Sequence, residues 1–197
     1  MIIEMTTWIE TMAVPSKYIQ SVVKAAKGRP KSTDWYRDKI KEFGTPKTLD
    51  LIRDGKQASS PFFGRLNMFI YDPKLKKKLP YYDTFPLVLP LEDYNDGFLG
   101  LNFHYLPIPL RMKLLDRVVD FSNNTKFDES TKLNVSYTAL KSIRLIKPTL
   151  KRYLAGKVKS RFRRVDADEF TVATLLPVQR FKKGSQSEVY KDSRKMI

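Results

Sequence analysis

Between Phe62 and Tyr105 the chain places 11 of its 24 aromatic residues in 44 of 197 positions. Proline, glycine, asparagine and aspartate interrupt that stretch at short intervals. Short apolar runs bounded by such residues specify a tightly turned antiparallel sheet. Gly64–Tyr71 reads as a first strand, followed by a lysine-rich loop from Asp72-Pro73. Thr84–Leu91 reads as a second strand, and its Pro86 and Pro90 imply a sheet edge or a bulge. Asn95-Asp96-Gly97 is a hairpin turn, and Phe98–Tyr105 is a third strand with a bend or bulge at Gly100. The expected fold is α+β: a small antiparallel, SH3-like β-barrel core with flanking helices.

The rest of the chain is arranged around this core. Residues 1–14 are apolar with two acids, and suit a packed arm or an oligomer contact. Helices are expected over about 16–27, 32–43 and 47–54, so 1–60 forms a helical arm. Trp8 and Trp35 fit core or interface anchors within it. Residues 55–61 read as a linker, and the core domain covers 61–180. After Pro107 and Pro109 comes a helix to about Phe121, with Leu114, Leu115 and Val118 inward. A polar loop at 122–132, a helix near Ser136–Leu145 and a helical turn from Pro148 to Leu154 follow. Val158–Val165 and Glu169–Leu176 read as strands, and 181–197 as an extended polar tail.

Charge narrows the function. The chain has 37 basic and 21 acidic residues, for a net charge of +16. Such an excess attracts polyanions. Residues 61–110 are neutral overall, so the excess lies outside the aromatic core. Residues 136–165 hold Lys141, Arg144, Lys147, Lys151, Arg152, Lys157, Lys159, Arg161, Arg163 and Arg164 with no acid between them. Strand alternation over 158–165 sets Lys159, Arg161 and Arg163 on one face. That row, continued by the basic helix before it, is a candidate phosphate track, with Lys76, Lys77 and Lys78 as a second contribution. Competing readings are a solvated basic face or a surface for an acidic protein. Lys182, Lys183, Arg194 and Lys195 in the tail could add to polyanion binding or keep a solvated end.

Other chemistry finds little support. There are no cysteines, which rules out disulfides, thiolate metal sites and a thiol nucleophile. No nucleotide loop or acyl-transfer motif is present. His104 is the single histidine and reads as a structural residue at a strand end, the alternative being a general base. Asp72, Asp83, Glu92, Asp93 and Asp96 fit turn chemistry better than a two-metal nuclease. Tyr81 and Tyr82 fit core plugs better than a base-stacking platform. No catalytic residue, metal or other cofactor is expected, no run is long enough to cross a membrane, and the N-terminus lacks a signal-peptide pattern.

Five blocks occur together: DWYRDKIKEFG (34–44), MFIYDPKLKKKLPYYDTFPLVLPLE (68–92), DGFLGLNFHYLP (96–107), KPTLKRYL (147–154) and VYKDSRK (189–195). Over roughly residues 32–197 the chain resembles small virion proteins of T4-like myoviruses, most closely the DNA end protector family. The resemblance implies a non-enzymatic virion protein, present in the host cytoplasm during assembly. It implies binding to the ends of packaged linear double-stranded DNA and shielding from exonuclease. Other virion proteins and a further copy of the chain are additional expected partners. The alternative is a structural subunit of the neck, tail or baseplate.

Overall fold

The computed structural model describes residues 56–122, 132–166 and 170–197, so the helices expected over 16–54 and most of the loop expected at 122–132 lie outside it. In chain order the elements are β1 (Gln57–Ala58), β2 (Leu66–Met68), β3 (Tyr82–Asp83), β4 (Leu87–Tyr94) and β5 (Gly97–Asn102). A 3-10 turn, Phe103–Tyr105, leads into α1 (Ile108–Ser122). Then come α2 (Tyr137–Leu140), α3 (Ile146–Thr149), β6 (Leu150–Leu154), a second 3-10 turn at Ala155–Lys157, β7 (Phe162–Val165), α4 (Phe170–Leu175), β8 (Phe181–Lys182) and α5 (Gln186–Met196).

The class is α+β, as expected, with all strand pairs antiparallel. Six strands form one sheet in the order β1-β7-β2-β4-β5-β6, and β3 pairs with β8 apart from it. Among the described residues no closed barrel is found, in contrast to the SH3-like expectation. An isolated bridge between Tyr71 and Val158 extends the contact between the β2 and β7 segments, and β1 and β6 remain the edges of the sheet. Closure requires pairing of the edge strands. Here each face is instead covered by its own apolar layer.

Alternation in the strands sorts residues between those layers. Leu87, Leu89 and Leu91 of β4 face a large core with Leu66, Met68, Leu101 and Val165. Helix α1 closes that side with Leu114, Leu115, Val118 and Val119, which recur at helical spacing. Val88 points to the opposite face, into a cluster of Phe69, Tyr71, Phe98, Tyr153 and Phe162. Phe98 stacks on Tyr153 at 5.2 Å between centroids, while Phe69 meets Tyr153 edge-on at 5.3 Å. Such pairings add roughly 0.5–1.5 kcal/mol each beyond area burial.

The hairpin forms where Asn95-Asp96-Gly97 foretells it, with Tyr94 paired to Gly97. Gly97 has φ of 151°, and a Cβ there would lie 1.9 Å from the Tyr153 carbonyl oxygen. β4 is an inner strand, with β2 and β5 as neighbours, so Pro90 does not mark an edge. It marks a bulge: register shifts between Pro90 and Glu92. Gly100 lies opposite Pro90, where a Cβ would approach Val88 Cγ1 to 2.5 Å.

Several elements differ from the pattern reading. Part of the expected linker, Gln57–Ala58, pairs with β7. The helix read over 136–145 is α-helical only at Tyr137–Leu140. Residues 150–154 form a strand rather than a continued helical turn, because β5 offers a free edge and Tyr153 fills the aromatic cluster. The third strand gives way to a 3-10 turn at Phe103. Residues 170–175 form a helix rather than a strand: Phe170 and Ala173, three apart, enter the core beside α1, and tertiary packing overrides β propensity. The extended tail is instead β8 followed by helix α5. Ser185 caps that helix by accepting from the Glu188 N–H, and Glu188 accepts in return from the Ser185 N–H at 2.7 Å.

One polar anchor ties these layers together. Arg111 on α1 is fully buried. Its guanidinium donates to the carbonyls of Leu106 (2.7 Å), Leu176 (3.1 Å), Thr174 (3.4 Å) and His104 (3.4 Å), to Gln179 Oε1 (3.0 Å) and to the Tyr190 hydroxyl (2.7 Å). Replacing Arg111 by Met strands these acceptors. It is expected to lower the unfolding free energy in a urea titration by on the order of 3 kcal/mol or more, against about 1.5 kcal/mol for Tyr190→Phe. Phe98→Ala, which opens the aromatic cluster, is expected to cost about 3–5 kcal/mol in the same assay.

Candidate nucleic-acid interface

The basic segment leaves the core at α2 and α3, crosses the sheet as β6, and returns as β7. Its cations therefore part into two exposed groups. Lys141, Arg144 and Lys147 are exposed around α2 and α3. Lys159 and Arg161 are exposed beyond the other end of the β5–β6 pair, with Lys157 half-buried beside them, and Arg152, exposed at the centre of β6, reaches Asp96 of the hairpin turn at that end. The register sets Leu101 against Leu150 and Gly97 against Leu154, so roughly 13 Å of strand separates the two ends. The expected single row on one strand face does not form. Lys159 and Arg161 precede the strand, which begins at Phe162.

The Lys76–Lys78 loop joins the second group. Its first residue, Asp72, donates its N–H to the Lys157 carbonyl at 3.0 Å. The Asp72 carboxylate accepts from Lys76 Nζ at 2.9 Å. That bond, with the nearby charges of Lys76, Lys159 and Lys157, holds its carboxyl below the ordinary carboxylate range. Lys77 and Lys78 are exposed. Lys183 braces the loop from behind, its ammonium donating to the carbonyls of Lys76, Lys77 and Leu79.

Not all ten cations of the segment are free. Arg164 is ion-paired with Asp166, and its side chain is only 13% exposed. Arg163 is half-buried beside Gln57, whose side-chain oxygen, turned towards the guanidinium, accepts at 2.8 and 3.1 Å. Arg152 pairs with Asp96 and lies 4.3 Å from the Tyr94 ring centroid. Lys151 is half-buried, 4.0 Å from the Tyr105 ring centroid, and burial pushes its ammonium down to about 8. Lys159 and Arg161 line an open cleft of about 650 Å³ whose walls include Phe63, Tyr94, Phe98 and Phe162. Phe63 and Tyr94 are 38% and 46% exposed. Neither stands out in the sequence, where both look like any other aromatic residue of a compact sheet.

His104 and Asp83 lie away from this surface. Both are buried, and His104 Nδ1 stands 2.7 Å from Asp83 Oδ2. Asp83 also accepts from the N–H groups of Phe85 and Arg180 at 3.0 Å each. The Phe85 contact is the turn chemistry expected for Asp83; the links to His104 and Arg180 are long-range additions. Burial opposes ionisation of Asp83, but His104 and the two N–H groups outweigh it, and its carboxyl lies below the usual value. Burial, aided by the charge of Arg111, outweighs Asp83 and depresses the His104 imidazole. A neutral imidazole donating from Nδ1 to an ionised Asp83 satisfies both. At 0% exposure His104 lies within the core, its ring bonded to Asp83. Tyr81 packs near Tyr105 and Phe181. Among the described residues no cluster of His, Cys, Asp or Glu could hold a metal ion, and no helix is long and apolar enough to cross a membrane.

Fold and site define a strongly basic α+β protein with free cations in two groups, one of them beside an aromatic cleft. The chain belongs to the phage T4 terminal DNA protecting protein family, whose family model matches residues 14–195. The resemblance read from its motifs is thereby borne out, and the match extends to residues before Ser32. No curated protein and no solved structure matches it.

The buried pair sets an acid response. His104 and Asp83 have folded pKa values below their ordinary 6.5 and 3.8. Each therefore contributes stability that is present above those values and is lost as pH falls through the interval beneath them. Asp116 acts in the opposite sense, because burial and Asp120 push its carboxyl up to about 6. In an Asp116→Asn background, the urea midpoint is expected to fall steadily from pH 7 to pH 5. The further change His104→Gln should flatten that slope.

Proposed function

We propose that this chain is a virion-bound protein that binds the ends of packaged linear double-stranded DNA and shields them from exonuclease. Membership of the terminal DNA protecting family over residues 14–195 carries this reading. The surface supplies a physical means. Lys141, Arg144, Lys147, Lys159, Arg161, Lys77 and Lys78 are exposed and suit contacts with phosphate oxygens. Lys157 and Lys76 stand beside them. Lys151, Arg152, Arg163 and Arg164 serve chiefly to hold that surface in shape, through their contacts with Tyr105, Asp96, Gln57 and Asp166.

Shielding in this reading is steric. A nuclease that loads on a terminus needs the last base pairs free, and a protein clamped across the phosphates there denies it access. No chemical step on the DNA is involved. The protein acts in the virion, is made and assembled in the host cytoplasm, and sits among other virion proteins.

The test is digestion of linear duplex DNA by a processive exonuclease, with and without the protein, over a salt series. Protection is expected at low salt. With six to ten phosphates contacted, affinity should fall by roughly 10³–10⁵-fold between 50 and 200 mM salt. The double change Lys159→Glu, Arg161→Glu is expected to weaken binding and protection while leaving the thermal melt unchanged. Equal digestion at low salt with and without protein overturns the reading.

A further inference from the structure

Phosphate contacts alone do not distinguish a DNA end from its interior, since every base pair carries the same backbone charge. The cleft between the Phe63 loop and the β4–β5 hairpin supplies what they lack. Phe98 and Phe162, buried at 2% and 3% exposure, form part of its wall. Phe63 and Tyr94 stand more open to solvent on it, with Lys159 and Arg161 at the same opening and Asp93 as a lining acid. Its volume of about 650 Å³ lies within the roughly 300–1,000 Å³ typical of small-ligand sites.

Both exposed rings are held in place. Asn67, fully buried, accepts from the Phe62 N–H at 2.9 Å and donates to the carbonyls of Phe62 (2.9 Å) and Arg65 (2.8 Å). Gly64, at φ of 72°, turns the chain just after Phe63. Those contacts fix the loop that presents the Phe63 ring. Tyr94 is fixed by its hydroxyl, which donates to Glu92 at 2.8 Å, and by the Arg152 guanidinium 4.3 Å from its ring centroid. Rigid exposed rings beside cations are the chemistry that binds unpaired nucleotides, with bases on the rings and phosphates on the cations.

We infer that this cleft receives the unpaired terminal nucleotide of a DNA strand, Phe63 and Tyr94 stacking on the base and Lys159 and Arg161 holding its phosphate. Within a duplex each base is covered on both faces by its neighbours. A blunt terminus bares only the outer face of its last pair, whereas an unpaired terminal nucleotide can leave the stack and enter the cleft, so the cleft engages at ends and favours those with unpaired nucleotides. This rests on the DNA-end reading above and gives it a source of end selectivity.

The experiment compares linear duplex carrying short single-stranded extensions, blunt linear duplex and relaxed covalently closed circular duplex, each competing against a labelled linear probe. The full chain is expected to prefer extended ends over the circle by at least about tenfold. Phe63→Ala with Tyr94→Ala should abolish that preference and leave binding to the circle unchanged. The conservative pair Phe63→Tyr with Tyr94→Phe should keep it, and thermal melts confirm that each variant is folded. Lys159→Gln with Arg161→Gln should weaken binding to all three DNAs. A preference for ends that survives removal of both rings overturns the cleft and leaves the end-binding reading intact. Equal binding to circle and ends overturns both. Blunt ends bound as tightly as extended ones overturn the unpaired nucleotide as occupant.

Discussion

The structure depends on one buried cation. Arg111 sits at 0% exposure in α1 and reaches carbonyls or side chains at His104, Leu106, Thr174, Leu176, Gln179 and Tyr190. A guanidinium out of water is costly unless its donors are met. Here oriented carbonyl dipoles and a phenol replace water. The cost becomes specificity, because only one arrangement of the segment after α4 and of helix α5 supplies those acceptors. The ionised Asp83 meets the ring of His104 while Arg111 donates to its backbone carbonyl, so two opposite charges share the interior at this one residue. The C-terminal segments are thereby fastened to the sheet by polar contacts as well as by apolar ones such as Val189.

The sheet's other face carries the aromatic cluster. Phe69, Phe98, Tyr153 and Phe162 fill it, and Phe98 and Phe162 continue to the wall of the cleft. The same packed rings thus act as core on one side and as support for an exposed surface on the other. Most of the exposed cations lie outside the strands, around α2 and α3 and in the turns beside β6 and β7, whereas Arg152 is exposed in the middle of β6. Lys151, within β6, is half-buried, and desolvation depresses its charge.

Much of the local structure was legible. The Asn95-Asp96-Gly97 turn, the bulge at Pro90 and the inward face of α1 follow from residue chemistry that acts over a few positions. Ser185 and Glu188 carried a readable helix start, three residues apart, within a segment otherwise read as extended. Residues 150–154 and 170–175 were not legible, because their conformation was decided by a sheet edge and by a helix face far away in sequence. The inner place of β4 was equally hidden: Pro90 suits a bulge as well as an edge, and only the pairing of β2 and β5 on either side separates the two.

The sequence by itself determined the net charge, the run of ten cations without an acid, the α+β class and the motifs that mark the family. These are sums over residues or patterns between near neighbours. Tertiary structure alone decided which cations are free. It turned Arg164 to Asp166 and Arg152 to Asp96, set Lys151 near the Tyr105 ring, and left Lys159 and Arg161 open beside Phe63 and Tyr94. Charge is a property of the residue, whereas availability depends on which partners the fold brings within a few ångströms.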